Sequence, residues 1–128
     1  MTYLLDTHVF LWAIGEPRRL SKRASGLILD SKNELVFSAV SLWEIALKIQ
    51  AGKLSLPANR DFFDTHLTQL GVGRLLAINP MHVFGVFDLP PVHKDPFDRL
   101  IAAQCLSEKM TLVSADKVFR DYAVDTVW

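Results

Sequence analysis

At 128 residues, half of them hydrophobic and with a mean hydropathy of +0.21, the chain carries enough apolar surface for a packed core and is not a disordered segment. Fourteen basic residues balance fourteen acidic ones, which excludes a global attraction to nucleic acid; polyanion binding has to come from a local patch or from bound metal. A single cysteine, Cys105, excludes an internal disulfide and fits a reducing cytosol.

The start, MTYLLD, lacks the basic region of a secretory signal, and the longest nearly uncharged stretch, Leu75 to Phe87, is broken by Asn79, Pro80 and His82. A soluble, cytoplasmic protein is the expectation. Tyr3 to Leu5 reads as a first strand, followed by a helix over His8 to Ile14 that Gly15 and Pro17 end. Ser21 caps a second helix running towards Asp30. Ser31 to Glu34 is a turn into a second strand, Leu35 to Ser38. A helix over Trp43 to Ala51 stops at Gly52, and another spans Asp61 to Leu70 with Gly71 as its cap. Leu75 to Ile78 reads as strand three, and Pro80 opens a short helix to Phe87. Leu89 to Lys94 is a loop. Asp95-Pro96 supplies a cap and first residue for a helix reaching about Lys109. Met110 to Val113 is a fourth strand; a short helix from Lys117 and a last strand near Val124 to Trp128 follow. Strands alternating with helices predict one domain over residues 1–128, a three-layer α/β/α sandwich around a mostly parallel sheet.

Four carboxylates stand out against this framework: Asp6 after strand one, Glu44 in SAVSLWEIALK, Asp98 in KDPFDRLIAAQ and Asp116 in LVSAD. The carboxyl ends of parallel strands are where open α/β folds place their chemistry. Four acids at one edge repel unless cations sit between them, and hard divalent ions such as Mg²⁺ take oxygen ligands. Each acid also has a plainer explanation. Asp6 and Asp116 can cap helices, although Thr7 can replace Asp6 in that role. Ser41 to Glu44 matches a capping box, and Glu44 with Lys48 is a favourable i,i+4 pair. Against this, Glu44 lies among Leu42, Trp43, Ile45, Ala46 and Leu47, which predicts a largely buried helix and an acid in need of a partner. Asp98 suits a first-turn dipole role but leads a stripe of Ile101, Ala102 and Cys105. Asp95 reads as the cap of that helix ahead of a metal ligand.

The segments LLDTHVFLW, SAVSLWEIALKIQAGKL and HKDPFDRLIAAQCLSEKMTLVSAD, in this order, resemble the PIN-domain family, in particular the VapC-like toxins of toxin–antitoxin pairs, over essentially the whole chain. The resemblance implies a PIN-like nuclease of single-stranded or loop RNA that uses Mg²⁺ or Mn²⁺. It makes Asp6, Glu44, Asp98 and Asp116 the acidic metal-binding quartet, with Ser114 where the family often has threonine. It further implies a cognate antitoxin protein and a homodimer.

On this reading Asp6 and Asp98 contact metal directly, and Glu44 and Asp116 directly or through water. Ser41 and Thr7 orient carboxylates or simply cap. No side chain is a dedicated general base: His8 is read as a helix-surface residue and His93 as a loop residue. The candidate RNA patch is Arg18, Arg19, Lys22 and Arg23, with Lys48, Lys53 and Lys94 as further donors, each equally explained by a solvated basic face. Trp12 and Trp43 are expected in the core. Two rival functions are a catalytically silent PIN-like binding module and a phosphoacceptor or phosphatase domain. The latter usually has a second acid beside the first, and Thr7-His8 supplies none.

Overall fold

A computed structural model describes residues 1–128. Five strands, β1 (Thr2–Leu5), β2 (Glu34–Ser38), β3 (Val72–Leu76), β4 (Thr111–Val113) and β5 (Thr126–Val127), form one sheet in the order β3-β2-β1-β4-β5. Every pairing is parallel. Six helices cover it: α1 (Thr7–Gly15), α2 (Lys22–Leu29), α3 (Ala39–Gln50), α4 (Arg60–Gln69), α5 (Pro80–Val86) and α6 (Pro96–Glu108). Short 3₁₀ turns at Pro17–Arg19 and Lys117–Tyr122 complete the chain.

Strand alternation sorts the core onto two faces. Leu4 stands in register with Val36 and Leu112, and this rung packs with Ile101, Ala102 and Cys105 of α6 and with Phe119. One residue on, Leu5 is level with Phe37 and Val113, and that rung faces Val9 and Phe10 of α1, Ala24 and Ile28 of α2, and Leu67 of α4. Both faces of the sheet are therefore dry, which is why its strands read as continuous apolar runs. The expected α/β/α sandwich is the fold found. No helix is long and apolar enough to cross a membrane.

Several element boundaries differ from the sequence expectation. β3 runs over Val72–Leu76 and not Leu75 to Ile78, because Val72 already pairs with Leu35 and the register shifts between Leu35 and Val36. α3 starts at Ala39, so its cap is Ser38, which accepts from Val40 N–H at 3.0 Å; Ser41 lies inside the first turn and the Ser41–Glu44 capping box does not form. Nor is α3 buried all round. Val40, Ser41, Glu44 and Ile45 face inward, whereas Trp43 and Leu47 are 50% and 41% exposed. At α6 the expected cap holds: Asp95 accepts from Phe97 N–H and Asp98 N–H at 2.9 and 3.2 Å.

A buried polar clamp joins the elements that carry the acids. Ser38, which caps α3, donates to Gln104 Oε1 on α6. The Gln104 amide reaches His82 Nδ1 at 3.3 Å, and His82 Nε2 meets Glu108 at 2.8 Å. Ser38, Gln104 and His82 are fully buried and all are satisfied, as interior polar groups must be.

Candidate active site

The strand order puts β1 at the centre, with chain connections leaving to one side through β2 and β3 and to the other through β4 and β5. The crevice between the carboxyl ends of β1 and β4 is thus a topological switch point, the usual ligand position in open α/β sheets. Asp6 follows β1 at this edge and Ser114 follows β4.

Asp6 is buried, and both oxygens of its carboxylate are held. Oδ1 accepts from Thr7 N–H at 2.8 Å; Oδ2 accepts from the Ser114 hydroxyl at 2.7 Å and lies 3.2 Å from His8 Nδ1. The next helical N–H groups, of Val9 and Phe10, go to the Asp6 main-chain oxygen. A capping aspartate usually accepts from the second or third helical N–H, here His8 or Val9; this one accepts from Thr7 N–H and gives its other oxygen to Ser114 and His8 in the crevice. His8, read from sequence as a helix-surface residue, is 28% exposed but turned inward: its Nε2 accepts from Ala115 N–H at 3.1 Å and its Nδ1 faces Asp6. The imidazole therefore ties the Asp6 carboxylate to the turn that carries Asp116.

Glu44 is 6% exposed and finds its partners nearby. Lys48 Nζ lies 2.8 Å from Oε2, and the Thr7 hydroxyl lies 2.8 Å from both Oε1 and Ser41 Oγ. Thr7 accordingly meets the carboxylate with Ser41 bonded behind it, and neither caps.

Asp98 opens α6 and completes the group. Burial, followed by the negative charges of Asp6, Asp95 and Glu44, raises its carboxyl from 3.8 to about 7, and the His93 hydrogen bond pulls the other way. Asp98 is thereby within reach of the Asp6, Asp95 and Glu44 charges. The contact from His93 Nε2 to Asp98 Oδ2 is 3.0 Å, so His93, read from sequence as a loop residue, also belongs to the site.

Asp116 is placed differently. It is exposed, caps the 3₁₀ turn by accepting from Val118 N–H at 3.0 Å, and connects to Asp6 through Ser114, whose hydroxyl accepts from Asp116 N–H at 3.0 Å. Arg18, Arg19, Lys22 and Arg23 are all exposed. Arg19 is engaged, 3.0 Å from Glu16 and 4.1 Å above the Trp12 ring; Trp12 in turn packs on His8 at 4.6 Å. That contact series leads from the basic segment to Asp6. Trp12 is half-buried among His8, Trp128 and Arg19, and Trp43, expected in the core, stands half exposed with its ring edge-on to Phe97 at 4.9 Å.

The donor set suits a hard divalent cation. Asp6, Glu44 and Asp98 offer carboxylate oxygens, and the one formal side-chain cation bonded to them is Lys48. Excess negative charge in a partly buried crevice is stabilised by Mg²⁺ or Mn²⁺ at oxygen ligands.

A fold of this topology with this acidic crevice defines a class, and comparison with known proteins agrees. The PIN domain profile matches residues 3–125, and the chain belongs to the PIN-domain family. It is 33% identical over 132 residues to Ribonuclease VapC22 of Mycobacterium tuberculosis, spanning 99% of this chain and 98% of that protein. Among solved structures it is similar to VapBC2 from Rickettsia felis bound to a promoter DNA fragment, with TM-score 0.69, 20% identity, and 99% and 98% of the two chains covered. VapBC-5 of Mycobacterium tuberculosis, a member of the VapBC family of toxin–antitoxin systems, gives TM-score 0.58 at 20% identity over 98% and 95%. At such identities these two structures bear on the fold alone.

Proposed function

We propose that residues 1–128 form a single PIN-like nuclease domain, a metal-dependent endoribonuclease that hydrolyses RNA phosphodiester bonds and acts as the toxin of a toxin–antitoxin pair. The observation that carries the reading is the convergence of Asp6, Glu44 and Asp98 at the sheet's switch point, where burial and then the neighbouring carboxylate charges lift Asp98 to about 7. The ribonuclease relative gives that cluster its substrate class. The toxin–antitoxin role, with a cognate antitoxin as partner, draws on the likeness to VapBC proteins.

Asp6, Glu44 and Asp98 would hold Mg²⁺ or Mn²⁺, with Asp116 joining directly or through water. When bound, the ion acidifies water and offsets charge on the phosphoryl oxygens. The protein's part is to hold the carboxylates still: Ser114 and His8 fix Asp6, Thr7 and Lys48 fix Glu44, and His93 meets Asp98. The two His8 ring nitrogens face Ala115 N–H and the Asp6 carboxylate, which gives the imidazole a positioning role. Arg18, Lys22 and Arg23 are exposed cations available to RNA phosphates, with Arg19 already on Trp12. The test is cleavage of single-stranded RNA by the purified protein with Mg²⁺ or Mn²⁺, with EDTA, and after metal is restored. Activity that appears, vanishes and returns supports the proposal; cleavage indifferent to EDTA overturns its metal dependence.

A further inference from the structure

His93 lies on the loop before α6, and that loop is tied down. Arg99 donates to Pro90 O at 2.9 Å and to His93 O at 3.4 Å, and the Tyr122 hydroxyl donates to His93 O at 3.4 Å. These bonds fix a one-third-exposed imidazole against the acid cluster, with Nε2 at 3.0 Å from Asp98 Oδ2. Asp95 spends only Oδ1 on capping α6 and has no hydrogen bond at Oδ2. One ligand atom from each of His93, Asp95 and Asp98 lies within 4.8 Å of the other two, a span that a single cation can bridge. Three donors of two kinds therefore converge from an anchored loop and from the start of a helix.

We propose that His93, Asp95 and Asp98 form a mixed nitrogen–oxygen cation site at the α6 rim of the crevice, which makes this protein prefer Mn²⁺ and later first-row divalent ions to Mg²⁺. The inference rests on the metal-dependent reading above and refines it: a carboxylate-only site leaves the choice of ion to size, whereas an imidazole ligand discriminates. Mg²⁺ is hard, keeps its waters and gains little from nitrogen; first-row transition ions gain more. On binding, the cation takes the place of the hydrogen bond between Nε2 and Asp98. Asp95 keeps its capping role through Oδ1 and adds a ligand through Oδ2.

The experiment uses the full chain with Mn²⁺ and Mg²⁺ as probes. Electron spin-echo spectra of the Mn²⁺-loaded protein should show nitrogen modulation from a coordinated imidazole, absent from His93→Gln. By calorimetry His93→Gln should bind Mn²⁺ about tenfold more weakly, the low end of what even an outer-shell partner contributes, while Mg²⁺ binding changes little. Asp95→Asn, which retains a good helix cap, should weaken both ions while its metal-free melting temperature stays near or above the parent's, which separates lost ligation from misfolding. Mn²⁺ bound without nitrogen modulation, or equal losses for the two ions in His93→Gln, overturns this inference and leaves the nuclease proposal standing. If neither ion binds the parent protein, both fall together.

Discussion

Replacing Asp98 by Asn should stabilise the metal-free protein, and by an amount that depends on pH. In the folded chain burial and the neighbouring acids raise the Asp98 carboxyl from 3.8 to about 7. A raised carboxyl means that the unfolded chain loses its proton first, so folding stability falls as pH climbs from about 4 to about 7 and is flat beyond. Each unit of displacement is worth about 1.4 kcal/mol, which sets a ceiling near 4 kcal/mol. Water at the rim screens part of this, and about 2 kcal/mol is the realistic cost of ionising Asp98. Asparagine has nearly the shape of the protonated acid and no proton to lose. Asp98→Asn and the parent should therefore melt together near pH 4 in EDTA and separate as pH rises, with the variant higher by about 6–10 °C at pH 8 for a chain of this size. Circular-dichroism melts at half-unit pH steps would measure this, titrations common to both proteins cancelling in the difference. Saturating Mn²⁺ should reverse the order, because the parent binds it better. A difference between the two proteins that does not vary with pH would refute the crowded-carboxylate argument.

Saturating metal should stabilise the parent by mass action, about 2.7 kcal/mol at a hundredfold excess over Kd; an unshifted melting curve with no calorimetric heat would speak against any cation site. Thr7→Val removes the hydroxyl that meets Glu44 and Ser41 while keeping the side chain's shape. It should destabilise by about 1–3 kcal/mol, the cost of orphaning buried polar groups, and lower cleavage about tenfold by freeing Glu44. Equal kinetics in Thr7→Val and parent would show that Glu44 needs no such support. If Lys22 and Arg23 contact phosphates, each alanine substitution should reduce the salt dependence of RNA binding by about one unit of slope, measured in an inactive background with metal affinity unchanged. Unaltered slopes would return the segment to a solvated face.

The layered α/β plan was legible because both faces of the sheet are covered: continuous runs such as Leu4-Leu5 and Leu35-Val36-Phe37 have no polar alternation to disguise them. Strand order was not, since parallel pairing depends on crossovers that local sequence does not encode. The acids were legible by position, following strands or opening helices. Their supports were not. His8 stands two residues after Asp6 and His93 five before Asp98, yet only the rotation of α1 and the anchoring of the loop at Arg99 show that both imidazoles turn to carboxylates. Ser38 was read as the end of a strand; it also caps α3, and its hydroxyl meets Gln104, sixty-six residues away. Trp43 misled for the same reason: α3 has an apolar sequence nearly all round, but only one of its sides meets the sheet. Asp116 follows β4, but its exposed carboxylate caps the 3₁₀ turn, and it is its main-chain N–H that meets the Ser114 hydroxyl bonded to Asp6.

The most direct test of the account is the rate at which metal-loaded Asp6→Asn cleaves single-stranded RNA, compared with the parent under identical conditions. Asparagine keeps the size of the side chain and one of its two acceptors, enough for Thr7 N–H or for the Ser114 and His8 side, while removing the charge that the crevice is built around. Loss of one charge that holds the ion, and through it the phosphodiester, should lower the rate by at least about a hundredfold, as loss of comparable charge-stabilising groups does, in a protein whose circular-dichroism melt shows it folded at the assay temperature. Cleavage by a folded Asp6→Asn protein at the parent's rate would contradict it.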